Sequence, residues 1–227
     1  LFKGEGISSY NFGEWWYFLE KDLNYPVTVL NTEYLRYYDL DNYDVLIMPD
    51  GNYRNFDDNT LSTIEQWISS GGKLIAQSGA LSALSRQGSF NIKTKERNRP
   101  STDPLLPYEL QEREGIKNYI TGAIFKTKVD TTHPVAYGYD SNYYGLKLNS
   151  NAYELLPSGN LASFEADTTP IAGFAGSNTL EPLSKSLFIG TENHGRGNVI
   201  YFTDNPVFRG FWYGAKRFVA NAIFFDF

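Results

Sequence analysis

No cysteine occurs anywhere in the 227 residues. Disulfides, a cysteine nucleophile and thiolate metal ligands are excluded together. The compartment stays open, because cysteine-free chains occur in reducing and oxidising surroundings alike. Histidine is scarce too: His133 and His194 are the only two, which limits the general bases available near neutral pH. Basic charge is in short supply, with 20 Lys and Arg against 26 Asp and Glu, a formal charge of −6 and a pI near 5.0. Nucleic-acid partners want a basic face, and this composition argues against them. No apolar run approaches the ~20 residues that span a bilayer. An initiating Met and a signal peptide are also missing. Leu1-Phe2-Lys3 runs straight into Gly4-Glu5-Gly6, which reads as a domain excised from a longer product.

What is present suits a folded domain. Hydrophobic residues make up 41% and charged residues 20%, ordinary values for a globular chain, and the length suits a single domain over 1–227. Aromatics reach 16%. Most are assigned to core and sheet packing, with a sticky surface toward another domain, a sugar or a peptide as the sharper alternative.

The organising feature is the stretch Tyr43-Asp44-Val45-Leu46-Ile47-Met48-Pro49-Asp50-Gly51 and its later counterpart Gly71-Gly72-Lys73-Leu74-Ile75-Ala76-Gln77-Ser78-Gly79. Each is a short apolar run ending in a Gly-containing turn, and a helical segment lies between them. That rhythm predicts an α/β fold whose parallel strands carry functional loops at their C-terminal ends. Strands are expected to end at Lys3, Leu30, Met48 and Ala76. Helices are expected from Ser9 or Asn11 to about Leu23, from a cap in Asp57-Asp58-Asn59 to about Ser70, and from Tyr213 to Phe225. Residues 86–117 contain a charge run, Lys93 to Pro100, and further prolines at 104 and 107; they are predicted to form a mobile excursion. The C-terminal half reads as strand-rich, with runs at 120–129, 135–139, 152–156, 161–164 and 171–174. A hairpin is expected from Leu187 to Phe202, turning at His194-Gly195-Arg196-Gly197.

Several segments together resemble a known family. They are Gly13 to Glu20, Tyr43 to Gly51, Gly71 to Ala76, Gly122 to Phe125, Asp130 to Tyr139, Asn205 to Gly210 and Asn221 to Phe224. In order and spacing they resemble the class I glutamine amidotransferase-like domain that follows the catalytic domain of bacterial zinc carboxypeptidases. The resemblance implies a flavodoxin-like, three-layer α/β/α fold around a mainly parallel sheet. It also implies a secreted or periplasmic metallopeptidase as parent, against whose catalytic domain this one would pack. Two departures stand out. Ser78 occupies the place of the amidotransferase cysteine, and Tyr201 to Pro206 replaces the expected His-x-Glu. Neither histidine sits in the His-x-x-Glu motif of zinc carboxypeptidases, so no metal or cofactor is expected in this domain.

The candidate site follows from the strand-end turns. Ser78, flanked by Ala76, Gly79 and Ala80, has the small neighbours that a strained nucleophile turn requires. Glu5, Asp50 and Asp204 stand near predicted strand ends, which converge on one crevice in this architecture. Gly51, Tyr53 and Gly79 complete the turns, and Arg209 is placed to hold a carboxylate or to staple the last helix. Three functions compete. One is a non-catalytic accessory domain that packs against the carboxypeptidase domain or binds a peptide or glycan, its ancestral concavity partly plugged by aromatics such as Tyr53 or Trp212. The second is a serine-dependent amidase or esterase with Ser78 as nucleophile and His133 or His194 as base. The third is a binding module for small carboxylated ligands, with Arg209 and the Gly51 and Ser78 turns lining one pocket.

Overall fold

The computed structural model describes residues 1–96 and 104–227. Its centre is an eight-stranded mixed sheet. Strand β3 (Val45–Met48), β4 (Lys73–Gln77) and β10 (Gly197–Phe202) run parallel to one another with β4 in the middle. Beyond β10 every neighbour is antiparallel. β9 (Leu187–His194), β7 (Asn160–Phe164) and β5 (Ile120–Val129) follow in order. β5 then carries both β6 (Asn142–Lys147) and β8 (Pro170–Ala175).

The expected mainly parallel sheet is therefore corrected to a mixed one, parallel at one end only. Connection length explains the division. A crossover containing helix α2 (Asp58–Ser69) joins β3 to β4 and permits parallel pairing. The tight turn at Gly195 makes β9 and β10 reverse.

The strands near the start are corrected as well. β1 (Phe2–Lys3) and β2 (Leu30–Asn31) pair only with each other, in a separate parallel two-stranded sheet. β1 lies alongside β3 without a ladder, which leaves β3 at the edge of the main sheet instead of its interior. The predicted strand from Pro26 shrinks because Pro26 has no N–H to donate and the Val27 N–H is taken by the Glu20 carboxylate at 3.0 Å.

Each face of the parallel end is covered by helices. Ile47, Ile75 and Ile200 point into one core, with Trp15, Phe18 and Leu19 after Ser8 and Phe218, Val219 and Ala222 of α6 (Tyr213–Phe224). Their neighbours Leu46, Leu74, Ala76 and Val199 point the other way, onto Leu61, Ile64 and Ile68 of α2 and Leu81 and Leu84 of α3 (Gly79–Leu84). This is the period-2 alternation of a strand buried on both faces.

Helix α1 (Ser9–Tyr17) begins at a Ser8 cap, whose Oγ accepts the Asn11 N–H at 3.3 Å, and ends in one π turn over Phe18–Asp22. The cap is thus one residue before the predicted position, and Asn11 is free to turn inward. Within the predicted excursion, Phe90 and Ile92 are buried and Thr94 bridges to Tyr153. Helix α4 (Tyr108–Ile116) follows, and α5 (Ser177–Leu183) lies between β8 and β9. The part of the Lys93–Pro100 charge run from residue 97 on, with 101–103, lies outside the described residues. The 135–139 run is not a strand: His133 caps a 3₁₀ turn at Pro134–Ala136, its Nδ1 accepting the Val135 N–H at 3.2 Å.

Candidate functional site

β4 and β10 end side by side, with Gln77 opposite Phe202. The next residue, Ser78, takes φ 48° and ψ −106°, a combination that strains any residue with a Cβ. Its N–H donates to Phe202 O at 2.9 Å and its carbonyl accepts the Tyr153 hydroxyl at 3.3 Å. The strand is thereby bent sharply into α3. Gly79 must be glycine, because a Cβ there would lie 2.0 Å from Gly51 O.

The turn after β3 is locked to the N-terminal one. Ser8 N–H donates to Asp50 O and Asn52 N–H to Gly6 O, both at 2.9 Å. The turns at Gly4–Gly6, Asp50–Tyr53 and Ser78–Gly79 therefore meet in space.

Beside them opens a cavity of about 1040 Å³. Of the residues named from sequence, Asp50, Ser78, Asp204 and Arg209 line it, whereas Glu5, Gly51, Tyr53 and Gly79 do not. Glu5 is exposed. Tyr53 is buried beneath the turn, its hydroxyl on Pro49 O at 2.6 Å, and Gly51 and Gly79 act as backbone spacers. Trp212 bonds the Tyr143 hydroxyl at 2.9 Å behind the cavity. Neither Tyr53 nor Trp212 plugs it, so the expected partial plugging gives way to an open site.

Asp50 decides what the Ser78 turn can do. Its Oδ1 accepts the Gly79 N–H at 2.8 Å. In strand-turn-helix nucleophile sites, the N–H of the residue after the nucleophile holds the developing oxyanion. Here that donor is already bound to a carboxylate of the same chain. Burial pushes the Asp50 carboxyl above the ordinary range, opposed by its bonds to the Gly79 and Gly51 N–H groups.

A second acidic group, Asp204, is wholly buried after β10 and forms an ion pair with Lys147 at 2.9 Å. It also accepts the Leu148 N–H at 3.0 Å and Asn149 Nδ2 at 2.9 Å. Burial pushes its carboxyl up, with Lys147 pulling against that shift.

A polar chain forms the third wall. Trp15 Nε1 donates to Gln77 Oε1. Gln77 Nε2 donates to Asn11 Oδ1 at 2.7 Å, and Asn205 Nδ2 bonds Asn11 Oδ1 at 3.0 Å and Glu14 Oε2 at 2.6 Å. The other Glu14 oxygen accepts the Arg209 N–H at 2.6 Å. Arg209 is exposed, and its guanidinium lies over the Phe208 ring, 5.1 Å from the ring centre.

The histidines lie at the far end of the sheet. His194 pairs with Gly197, five residues back along β10 from Phe202, which is roughly 16 Å at ~3.3 Å per strand residue. It does not point into solvent: it stacks on Phe90 and pairs with Glu65 at 3.3 Å. His133 packs against Phe227, whose carbonyl is bonded to Asn198 at the start of β10. Neither imidazole can serve Ser78 directly or through one water. Among the described residues no group of three or more His, Asp or Glu side chains is arranged to hold a metal.

Sequence reasoning missed Lys147, Asn149, Asn11 and Gln77, and assigned no role to Glu14 and Asn205. Lys147 carried no legible sequence signal: it is buried with Tyr143 and Gly145 on one face of β6, an alternation that the residue types of the segment do not spell out.

No protein-family model and no curated protein matches the chain. Solved structures do resemble it in fold. A ThuA-like protein from Parabacteroides merdae superposes with a TM-score of 0.59 at 14% identity, covering 97% of this chain and 87% of that one. PurLQS from Thermotoga maritima gives 0.56 at 12% identity, covering 97% and 94%. A β-galactosidase from Bacillus circulans gives 0.54 at 13% identity, covering 93% of this chain but 26% of that one. At these identities the likeness concerns fold alone, and in fold this chain is glutamine amidotransferase-like.

Proposed function

We propose that this domain is a non-catalytic accessory module that retains an amidotransferase-like scaffold and binds a peptide or glycan in the open cavity. The observation that carries the reading is the Asp50 carboxylate on the Gly79 N–H. An anion already occupies the donor an acyl-transfer transition state would need, and a second developing negative charge beside it would be repelled. The strained Ser78 favours the rival serine amidase or esterase, but neither imidazole that this rival would use as base lies within reach of it.

The wider setting is proposed from the resemblance of the segments around Gly13–Glu20, Asp130–Tyr139 and Asn205–Gly210. In it, the domain belongs to a secreted or periplasmic zinc carboxypeptidase and packs against its metallopeptidase domain. The same fold forms about a quarter of the β-galactosidase chain, which fits an accessory role within a larger protein. Sequencing the coding region around this domain tests the setting: a His-x-x-Glu pair with a distant second His is expected nearby, and its absence would remove the carboxypeptidase.

Turnover tests the core of the proposal. The purified chain is expected to hydrolyse glutamine, p-nitrophenyl esters and short peptides no faster than buffer. Turnover abolished by Ser78→Ala would overturn the non-catalytic reading.

A further inference from the structure

We infer that the cavity beside Ser78 takes a neutral carbohydrate rather than a peptide or an anion; this rests on the binding reading above and narrows its ligand. Rings frame the mouth from two sides. Tyr10, 86% exposed, and Tyr17 come from α1, while Phe208 and Phe211 come from the loop after β10. One face of Phe208 is taken by the Arg209 guanidinium, which leaves the exposed Tyr10, Tyr17 and Phe211 rings; aromatic rings at the rim of a polar cavity suit the C–H face of a sugar ring, which is apolar above and below and hydroxylated around its edge.

The floor supplies the matching polar groups, and it supplies them already fixed. Glu14 is held by Asn205 and by the Arg209 N–H. Asn149 is held by Asp204. Side chains whose rotamers are set before binding lose little entropy when a ligand arrives. A carboxylate has acceptor sites beyond those used here, and vicinal hydroxyls are paired donors that can fill them.

Charge and topology discriminate among ligands. Asp204 is neutralised by Lys147 behind it, so among the described lining residues Glu14 and Asp50 stand against the single guanidinium of Arg209. A phosphate, sulfate or carboxylate ligand would meet net repulsion. Peptide capture by strand addition needs an open sheet edge, and β4 and β10, whose ends form the floor, are both paired on each side. A hydroxyl-rich neutral ligand conflicts with neither constraint. The volume, at the upper end of the ~300–1,000 Å³ of small-ligand sites, admits more than one sugar ring.

The test is an array of neutral, sialylated and sulfated oligosaccharides alongside a random peptide library, with hits measured by saturation-transfer NMR and calorimetry. Neutral oligosaccharides are expected to bind, and Tyr10→Ala, Phe211→Ala and Glu14→Gln are each expected to weaken them ten-fold or more. Tyr10 and Phe211 are exposed, so their removal leaves the fold intact, and circular dichroism checks this for each variant. Binding confined to peptides or to anionic glycans, hits insensitive to all three substitutions, or no neutral-glycan binding at millimolar concentration would each overturn the inference. If a bound glycan were instead cleaved, the ligand class would stand and the non-catalytic reading would fall.

Discussion

Ser78 holds a backbone conformation that a side chain makes costly. Such strain amounts to about 1–3 kcal/mol. Glycine removes it, at a cost of about 0.5–1 kcal/mol in unfolded-chain entropy. Ser78→Gly is therefore expected to stabilise the domain by about 1 kcal/mol, read from the midpoint of urea unfolding. A loss of stability would show that the hydroxyl makes a contact worth more than the strain. Asp50 carries the opposite burden, a carboxyl whose folded pKa is raised by burial. Between the unfolded value of ~3.9 and that raised value the folded state holds the extra proton. Stability from this group is thus present at low pH and falls as pH rises through the folded pKa. Asp50→Asn keeps an acceptor for the Gly79 N–H and removes the charge. It is expected to raise the melting temperature at pH 7 and to flatten the fall in stability with rising pH just above the carboxylate range; an unchanged pH profile would mean that Asp50 is not the titrating group. At this scale the sequence marked Ser78, Asp50, Asp204 and Arg209 because they follow apolar runs at strand ends. Glu5 and Tyr53 carried the same local signal, and only the path of the turns separates them from the cavity. The carboxylate on the Gly79 N–H joins residues 29 positions apart, and no local pattern encodes such a bond.

Among elements, the pair Lys147–Asp204 ties the end of β6 to the turn after β10, two segments 57 residues apart. Both side chains are almost wholly shielded from water. Removing one partner of such a pair leaves an uncompensated buried charge and costs about 3–5 kcal/mol. Lys147→Met is expected to lose that much stability by chemical denaturation. Lys147→Met with Asp204→Leu is expected to recover most of it, since an apolar pair replaces two desolvated ions. Equal losses in the single and double variants would show that the pair's hydrogen bonds to Leu148 and Asn149, and not its charge balance, hold the turn. Strong local patterns made some elements legible. α2 begins within the predicted Asp57-Asp58-Asn59 cap, at Asp57, whose Oδ1 accepts the Thr60 N–H at 2.8 Å, and β3, β5 and α6 lie where apolar spacing placed them. β6 went unread because Asn142-Tyr143-Tyr144-Gly145 mixes polar and aromatic residues without a clean alternation. α4 was hidden for a different reason: it buries no side chain, so it has no apolar stripe to detect.

Across the whole molecule, burial is divided unevenly, and that division predicts how the domain opens. Every residue of β4 and of β10 is buried, and both strands are paired on each side. β8 buries none of its six residues and pairs with β5 alone. The pairing of β4 with β10, distant in sequence, also explains why the mixed character of the sheet was unreadable. β5 to β9 intervene between the two strands in the chain, and apolar runs do not reveal which neighbour each will choose. Amide exchange is governed by the free energy of the smallest opening that exposes each group. Opening β8 exposes little additional apolar surface, whereas freeing β4 or β10 disrupts the cores on both faces of the sheet. Hydrogen-exchange mass spectrometry is therefore expected to find the slowest amides in 73–77 and 197–202, exchanging only through global unfolding. Peptides covering 108–116 and 170–175 should exchange many-fold faster, through local opening. Because the Ser78 turn hangs directly from β4 and β10, the cavity floor should share their protection, whereas the aromatic rim on α1 and the 208–211 loop should not. Equal protection of β8 and β4 would contradict this hierarchy and would place the cooperative core in the antiparallel half.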